Sequence, residues 1–146
     1  MTINKDNTII DRTELIIPSV TSELGKVEKL SQYISHKASF SEEQSDNLAI
    51  VLTELVNNAI VHGNKLDADK KVIVKVIFYR DRVQVSVKDE GSSFDPSTLK
   101  NPTDPENLWK ENGRGIFLVR NLVDDVQFNP SQDGMEIIIT EYKENE

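Results

Sequence analysis

The sequence predicts an α/β protein built as a two-layer sandwich, a mixed and mostly antiparallel sheet with helices packed on one face. Three observations lead there. Apolar residues switch between period two and period 3.6 in the order strand, two helices, two strands, long loop, helix, two strands. Consecutive strands are joined by connections too short for a crossover, so they must pair antiparallel. The 146 residues, 37% apolar and 29% charged, suffice for one hydrophobic core and leave little room for a second. Residues 8–143 are therefore expected to form a single domain behind a flexible, polar N-terminus of residues 1–7.

Thr8 to Ile17 carries two apolar pairs, Ile9–Ile10 and Ile16–Ile17, and reads as one or two short edge strands closed by Pro18. Ser19 has the chemistry of a helix cap. Val20, Leu24, Val27, Ser31 and Ile34 then recur at three and four, which predicts a helix from about Ser19 to Lys37. Ser41 and Gln44 have capping-box spacing. They open a helix from about Glu42 to Val61 with Leu48, Leu52, Leu55 and Ala59 as its core stripe, and Gly63 fits a C-terminal stop. Val72, Val74, Val76 and Phe78 share one strand face and Ile73 and Ile77 the other, the pattern of a central strand. In the next strand Val83, Val85 and Val87 alternate with Gln84, Ser86 and Lys88, so one face is wet or lines a site. After the irregular stretch Glu90 to Asn112, a helix is expected over Gly115 to Val123. Val126 to Phe128, a turn at Pro130 to Gly134, and Met135 to Tyr142 close the chain as a hairpin.

Composition excludes several functions. A net charge of −8 argues against a broad nucleic-acid footprint, which needs surplus Lys and Arg. Without cysteine there are no disulfides, thiolate nucleophiles or thiolate metal sites, and His36 and His62 are too few for a histidine-built zinc site. Neither a secretory leader nor a membrane span is visible, so the cytoplasm is the default location.

A loop of this length in a small domain is often a lid or binding loop. One end, Asp89-Glu90-Gly91-Ser92-Ser93-Phe94-Asp95, leaves a strand; the other, Asn112-Gly113-Arg114-Gly115, opens a helix. Glycines at a helix N-terminus let a ligand approach the backbone, and the free N–H groups there favour an anion. Arg114 can add charge-assisted bonds to phosphate oxygens. The plainer reading makes Gly91 and Gly113 turn residues and Arg114 a solvated side chain. Glu54, Asn58 and His62 lie at i, i+4 and i+8, a polar stripe beside the core stripe. A carboxylate and an amide one turn apart can share a divalent cation or orient a nucleophile; the alternative is a solvated face.

Taken together, Glu54-Leu-Val-Asn-Asn58-Ala-Ile-Val-His62-Gly63, the Asp89–Asp95 segment and Gly113-Arg-Gly115-Ile-Phe-Leu-Val119 resemble the N box and the two glycine boxes of the Bergerat-fold (GHKL) ATPases, which include gyrase B and the histidine kinases. Within that superfamily the chain is similar to the small anti-sigma-factor serine/threonine kinases of bacterial partner-switching systems. The resemblance runs from roughly Glu14 to Tyr142, with the boxes in the family's order. It implies the Bergerat ATP-binding fold with ATP and Mg2+ as cofactors. It makes Asn58 the Mg2+ ligand, Glu54 the general base, Asp89 the acceptor for the adenine amino group, and Gly91 the residue that admits the base. Gly113 and Gly115 become the phosphate cradle, with Arg114 beside them and Pro96 to Asn112 as the lid. It also implies a homodimer that phosphorylates an antagonist (anti-anti-sigma) protein and sequesters a sigma factor, with no direct contact to nucleic acid or membrane. One position departs: many relatives place Gly-Thr where this chain has Gly134-Met135, and methionine makes no strong hydrogen bond.

Two other functions compete. A nucleotide-dependent protein-binding switch with little or no turnover would fit Met135. The catalytic domain of a histidine kinase is disfavoured, because the chain starts at Met1 and shows no phosphoacceptor helical hairpin ahead of the domain. Ile16 and Ile17 fit either the sheet core or a dimer contact, and the pattern does not choose between them.

Overall fold

The computed structural model describes residues 5–91 and 113–144, with backbone alone over 113–117. The elements run β1 (Ile9–Pro18), a 3-10 turn (Thr21–Glu23), α1 (Leu24–Ala38), α2 (Glu42–Asn58) continued by a π-helical turn (Ala59–Gly63), β2 (Lys71–Tyr79), β3 (Arg82–Lys88), α3 (Gly113–Leu122), β4 (Asp125–Ser131) and β5 (Gly134–Tyr142). The strands form one five-stranded sheet in the order β1-β2-β3-β5-β4, and each neighbouring pair is antiparallel. The predicted two-layer α/β sandwich is thus the observed one.

Side chains alternate across a strand, so each strand offers one row to the helices. The buried rows are Val72, Val74, Val76 and Phe78 of β2, Val83, Val85 and Val87 of β3, and Ile137 and Ile139 of β5. Val27 and Ile34 of α1, with Leu48, Leu52 and Leu55 of α2, cover them at 2% exposure or less. Each such side chain contributes about 1.5–3 kcal/mol through its removal from water, which makes this contact the main stabilising term of the fold. β2 is an interior strand between β1 and β3, but its Ile73 and Ile77 face is only half-buried. The edge strand settles the ambiguity at its end: Ile17 is 1% exposed and in the core, whereas Ile16 is 49% exposed on the opposite face.

Several boundaries differ from the pattern reading: α3 starts at Gly113 and not Gly115, and Pro130 and Ser131, expected in the turn, belong to β4. Ser19 does not cap α1, because its N–H and its hydroxyl both donate to the Lys70 carbonyl, at 3.1 and 2.7 Å. The chain passes through the 3-10 turn before α1 begins at Leu24. Nor does α2 simply stop at Gly63. It widens into the π turn, and the Asn64 N–H reaches back to the Ala59 carbonyl at 2.8 Å. By contrast the Ser41–Gln44 capping box forms as expected, with both reciprocal bonds at 3.1 Å.

The start of α2 is tied to the end of the sheet through Gln44. Its amide donates to Glu141 Oε2 at 3.0 Å and to the Tyr142 carbonyl at 2.8 Å. Burial, and then the adjacent Asp124, lift the Glu141 pKa from 4.5 to about 7, although the Gln44 bond pulls the other way. The folded state therefore holds a proton that the unfolded chain has released between those two values, and this group's contribution to stability falls as pH rises from about 4.5 through 7. Glu141→Gln is expected to remove that slope, so the variant should gain stability relative to wild type as pH is raised, measured by urea unfolding at a series of pH values. A difference that stays constant with pH would show that Glu141 titrates normally.

Candidate functional site

The register of β3 against β5 sets Lys88 opposite Glu136, so Asp89 leaves the sheet beside Met135. The Asp89 N–H donates to the Met135 carbonyl at 3.0 Å, and the Met135 N–H donates back to Asp89 Oδ1 at 3.1 Å. Gly91 N–H adds a second bond to Oδ1 at 2.9 Å. Oδ2 has no donor among the described residues. Asp89 is 6% exposed. Burial pushes its carboxyl above the usual carboxylate range, and the opposing pull of the Gly91 and Met135 N–H groups and of the Lys88 and Lys70 charges does not reverse the shift.

Glycines wall this carboxylate. A Cβ on Gly63 would stand 2.2 Å from Oδ2, and one on Gly134 2.2 Å from the Asp89 carbonyl and 2.7 Å from Oδ1. A Cβ on Gly91 would meet the Gly63 carbonyl at 2.4 Å. Gly134 also has φ +132°, a conformation that side-chain-bearing residues rarely adopt. The π turn brings Gly63 to this position, so the C-terminal end of α2 abuts the aspartate directly.

One helical turn before that end, Asn58 Nδ2 donates to Glu54 Oε1 at 3.3 Å. Asn58 is 5% exposed and Glu54 half-buried, so this part of the polar stripe is not a solvated face. Asn58 Oδ1 has no partner among the described residues. His62, the third member of the stripe, is exposed. α3 packs against α2, with Val119 fully buried, and its backbone starts at Gly113. The structure therefore brings together Glu54 and Asn58 on α2, and Asp89 and Gly91 with the end of the π turn. The Arg114 side chain and the surroundings of Gly115 lie outside the described residues, as do the Ser92–Asp95 part of the first glycine box and the Pro96–Asn112 lid.

Gly63, Gly134 and Asn64 escape a pattern reading. Gly63 carries the signal of a helix stop and Gly134 that of a hairpin turn, and neither signal points to Asp89. Met135, which departs from the usual threonine, contacts Asp89 through its backbone N–H, a bond that any non-proline residue there can make. Among the described residues no group of three or more His, Cys, Asp and Glu is placed to hold a metal ion, and no helix is long and apolar enough to cross a membrane.

Asp89, with two backbone donors on Oδ1 and none on Oδ2 among the described residues, thus lies at the end of the π turn, and the Glu54–Asn58 pair lies on α2, against which the helix begun by Gly113 packs. The profile of the histidine kinase-like ATPase domain matches residues 20–141, and the chain belongs to that family, the GHKL or Bergerat-fold ATPases. Within it the chain is closely related to the RsbW-type kinases. The serine-protein kinase RsbW of Listeria monocytogenes serovar 1/2a is 31% identical over 115 residues, 75% of this chain and 73% of that protein. That of Bacillus mycoides is 28% identical over 142 residues, 93% of this chain and 88% of the other. A crystal structure of the RsbU and RsbW domains of a Mycobacterium tuberculosis protein superposes with a TM-score of 0.66 at 14% identity, over 90% of this chain and 32% of that one, a likeness of fold.

The glycine wall generates a paired expectation. Gly63→Ala forces Asp89 or the π turn to move and should destabilise the protein by about 1–3 kcal/mol, as overpacking does. Gly25→Ala, in α1 with nothing within 4 Å of the added carbon, should stabilise it by up to about 1 kcal/mol. Chemical denaturation of both variants checks this. Equal effects would mean that the contact at Gly63 is relieved without cost.

Proposed function

We propose that this chain is an ATP-dependent, Mg2+-requiring protein serine/threonine kinase and anti-sigma factor of a bacterial partner-switching system. The observation that carries the reading is the half-satisfied Asp89 carboxylate: Oδ1 holds two backbone N–H groups, while Oδ2 is left for a donor from outside the described chain. An exocyclic amino group of adenine is such a donor. Gly91, which carries no side chain, leaves the base room to lie close to the backbone.

The Asn58 amide suits the cation equally. Its Nδ2 donates to Glu54, and Oδ1, which has no partner among the described residues, is the atom that would bind the metal. Mg2+ supplies charge neutralisation along the phosphates when bound. The glycines Gly113 and Gly115 at the start of α3 offer N–H groups to the same phosphates, with Arg114 adding charge. Glu54 takes the proton of the acceptor serine or threonine hydroxyl, the hydroxyl oxygen bonds to the γ-phosphorus, and the bond from that phosphorus to ADP breaks. Little else is asked of the protein, since positioning and electrostatics dominate phosphoryl transfer.

Family membership supports the partners: an antagonist (anti-anti-sigma) protein as phosphoryl acceptor, a sigma factor as the sequestered client, and a second copy of the chain. For the homodimer, Ile16 and Ile73 sit directly opposite each other on the sheet face turned away from the helices, with Ile77 on the same face of β2. We take residues 8–143 as one domain and its setting as cytoplasmic. The buried side chain of Met135 supports the second reading, a nucleotide-dependent protein-binding switch with little turnover, because it withholds the hydroxyl that many relatives place there.

Calorimetric titration with ATP, with and without Mg2+, tests the site: magnesium-dependent binding is expected, and no binding at millimolar ATP would refute it. Asn58→Ala should abolish Mg2+-dependent binding while circular dichroism shows an intact fold. Glu54→Ala should keep nucleotide binding and lose phosphoryl transfer to the antagonist protein by about two to four orders of magnitude. Transfer retained by Glu54→Ala would remove it as the base. Absence of transfer by wild type that binds ATP would favour the switch.

A further inference from the structure

Asn64, the residue after the π turn, has no part in the site as drawn above, yet it is 1% exposed and every polar atom of its side chain is engaged. Nδ2 donates to Ser19 Oγ at 2.8 Å and to the Lys71 carbonyl at 3.0 Å. Oδ1 accepts the Glu90 N–H at 2.8 Å. The amide cannot be turned over, because the Glu90 N–H only donates and the Lys71 carbonyl only accepts. Ser19 is itself fully buried and its hydroxyl donates a hydrogen bond to the Lys70 carbonyl. Glu90 is fastened a second time, through its carboxylate, to the Lys71 N–H.

The position of this network matters more than its size. Glu90 lies between Asp89 and Gly91, the residue whose N–H holds Asp89 Oδ1. Fixing the Glu90 peptide fixes the turn that aims the carboxylate. Asn64 also follows Gly63, the glycine against Oδ2, so one residue joins the end of the amide-bearing helix to the aspartate turn. No other side chain offers two donors and one acceptor at this reach in neutral form. An aspartate keeps the acceptor and loses both donors; alanine loses all three bonds.

We propose that Asn64 is a positioning residue that sets the orientation of Asp89 toward the nucleobase, and hence the preference for a purine bearing an exocyclic amine. The inference rests on the nucleotide-binding reading of Asp89. Asn64 never touches the ligand; its effect passes through the Glu90 peptide.

The test compares Mg·ATP with Mg·ITP, whose base carries a carbonyl in place of the amine. Wild type should prefer ATP. Asn64→Ala should lose about tenfold in ATP affinity with ITP affinity unchanged within about twofold, collapsing the preference. Asn64→Asp, which retains the acceptor for Glu90, should keep most of it. A folded Asn64→Ala variant that weakens for both nucleotides equally, or keeps the wild-type ratio, overturns the proposal. Wild type that binds the two alike overturns the reading of Asp89 and this inference with it; a preference that survives in Asn64→Ala overturns the clamp alone. Hydrogen exchange of the Glu90 amide in nucleotide-free wild type gives an independent check should Asn64→Ala fail to fold. Core-like protection is expected, and exchange at the rate of an open loop overturns the clamp.

Discussion

The geometry of this protein turns on a carboxylate placed where the backbone leaves almost no room for it. Asp89 is buried, so its charge is unfavourable unless hydrogen bonds replace the lost water. Two backbone N–H groups do that for one oxygen. To deliver them, the ends of β3 and β5 and the π turn after α2 must close to distances at which no Cβ fits at Gly63, Gly91 or Gly134. Glycine at these positions is therefore a steric requirement of the aspartate and not merely a convenience of turns. The helix carrying Glu54 and Asn58 inherits its placement from the same closure.

How much of this was legible in the sequence depends on how far apart the interacting residues are. The Ser41–Gln44 box is readable because its partners lie three residues apart. The rows of β2 and β3 are readable because alternation is local. Ser19 looks like a cap because the acceptor that claims it, the Lys70 carbonyl, is 51 positions away. Asn64 looks like any polar residue in a loop, since its bond partners are 45, 7 and 26 positions distant. For the stripe on α2, spacing alone left both a solvated face and a chemical site open and favoured the solvated face. Burial of Asn58 beneath the rest of the fold removes the solvated reading for that residue, and that is a tertiary fact. Asp89 and the glycine boxes became meaningful through family likeness, because no local rule relates Gly134 to an aspartate 45 residues earlier in the chain.

The sheet shows how one strand can serve two ends. Along β1, Ile17 enters the core and Ile16 turns out. A one-residue slip would exchange them, so the apolar row beneath the helices also specifies which residues the open face displays. The half-exposed Ile16, opposite Ile73, is thus a by-product of correct register as well as a candidate contact. On the helical side, the Glu141–Asp124 acid pair shows the opposite economy: Gln44 secures the end of β5 to α2 but leaves a carboxyl whose ionisation works against the fold.

The scatter of the Asp89 contacts along the chain has a consequence for how the protein comes into being. The bond from Met135 spans 46 residues, the bond from Asn64 to Glu90 spans 26, and β1 reaches its place only by pairing with β2 beyond two helices. Contacts of this kind are closed late, after local helices have formed, because the chain must lose loop entropy before they reward it. A partly folded chain can carry α1 and α2 intact and still lack the hydrogen bonds that hold Asp89. During synthesis the enclosure of Asp89 stays incomplete until β5 has left the ribosome, since Gly134 and Met135 belong to that strand. A ligand held by Asp89 would require the folded molecule, and by mass action it would protect the whole sheet from unfolding and not just the residues it touches.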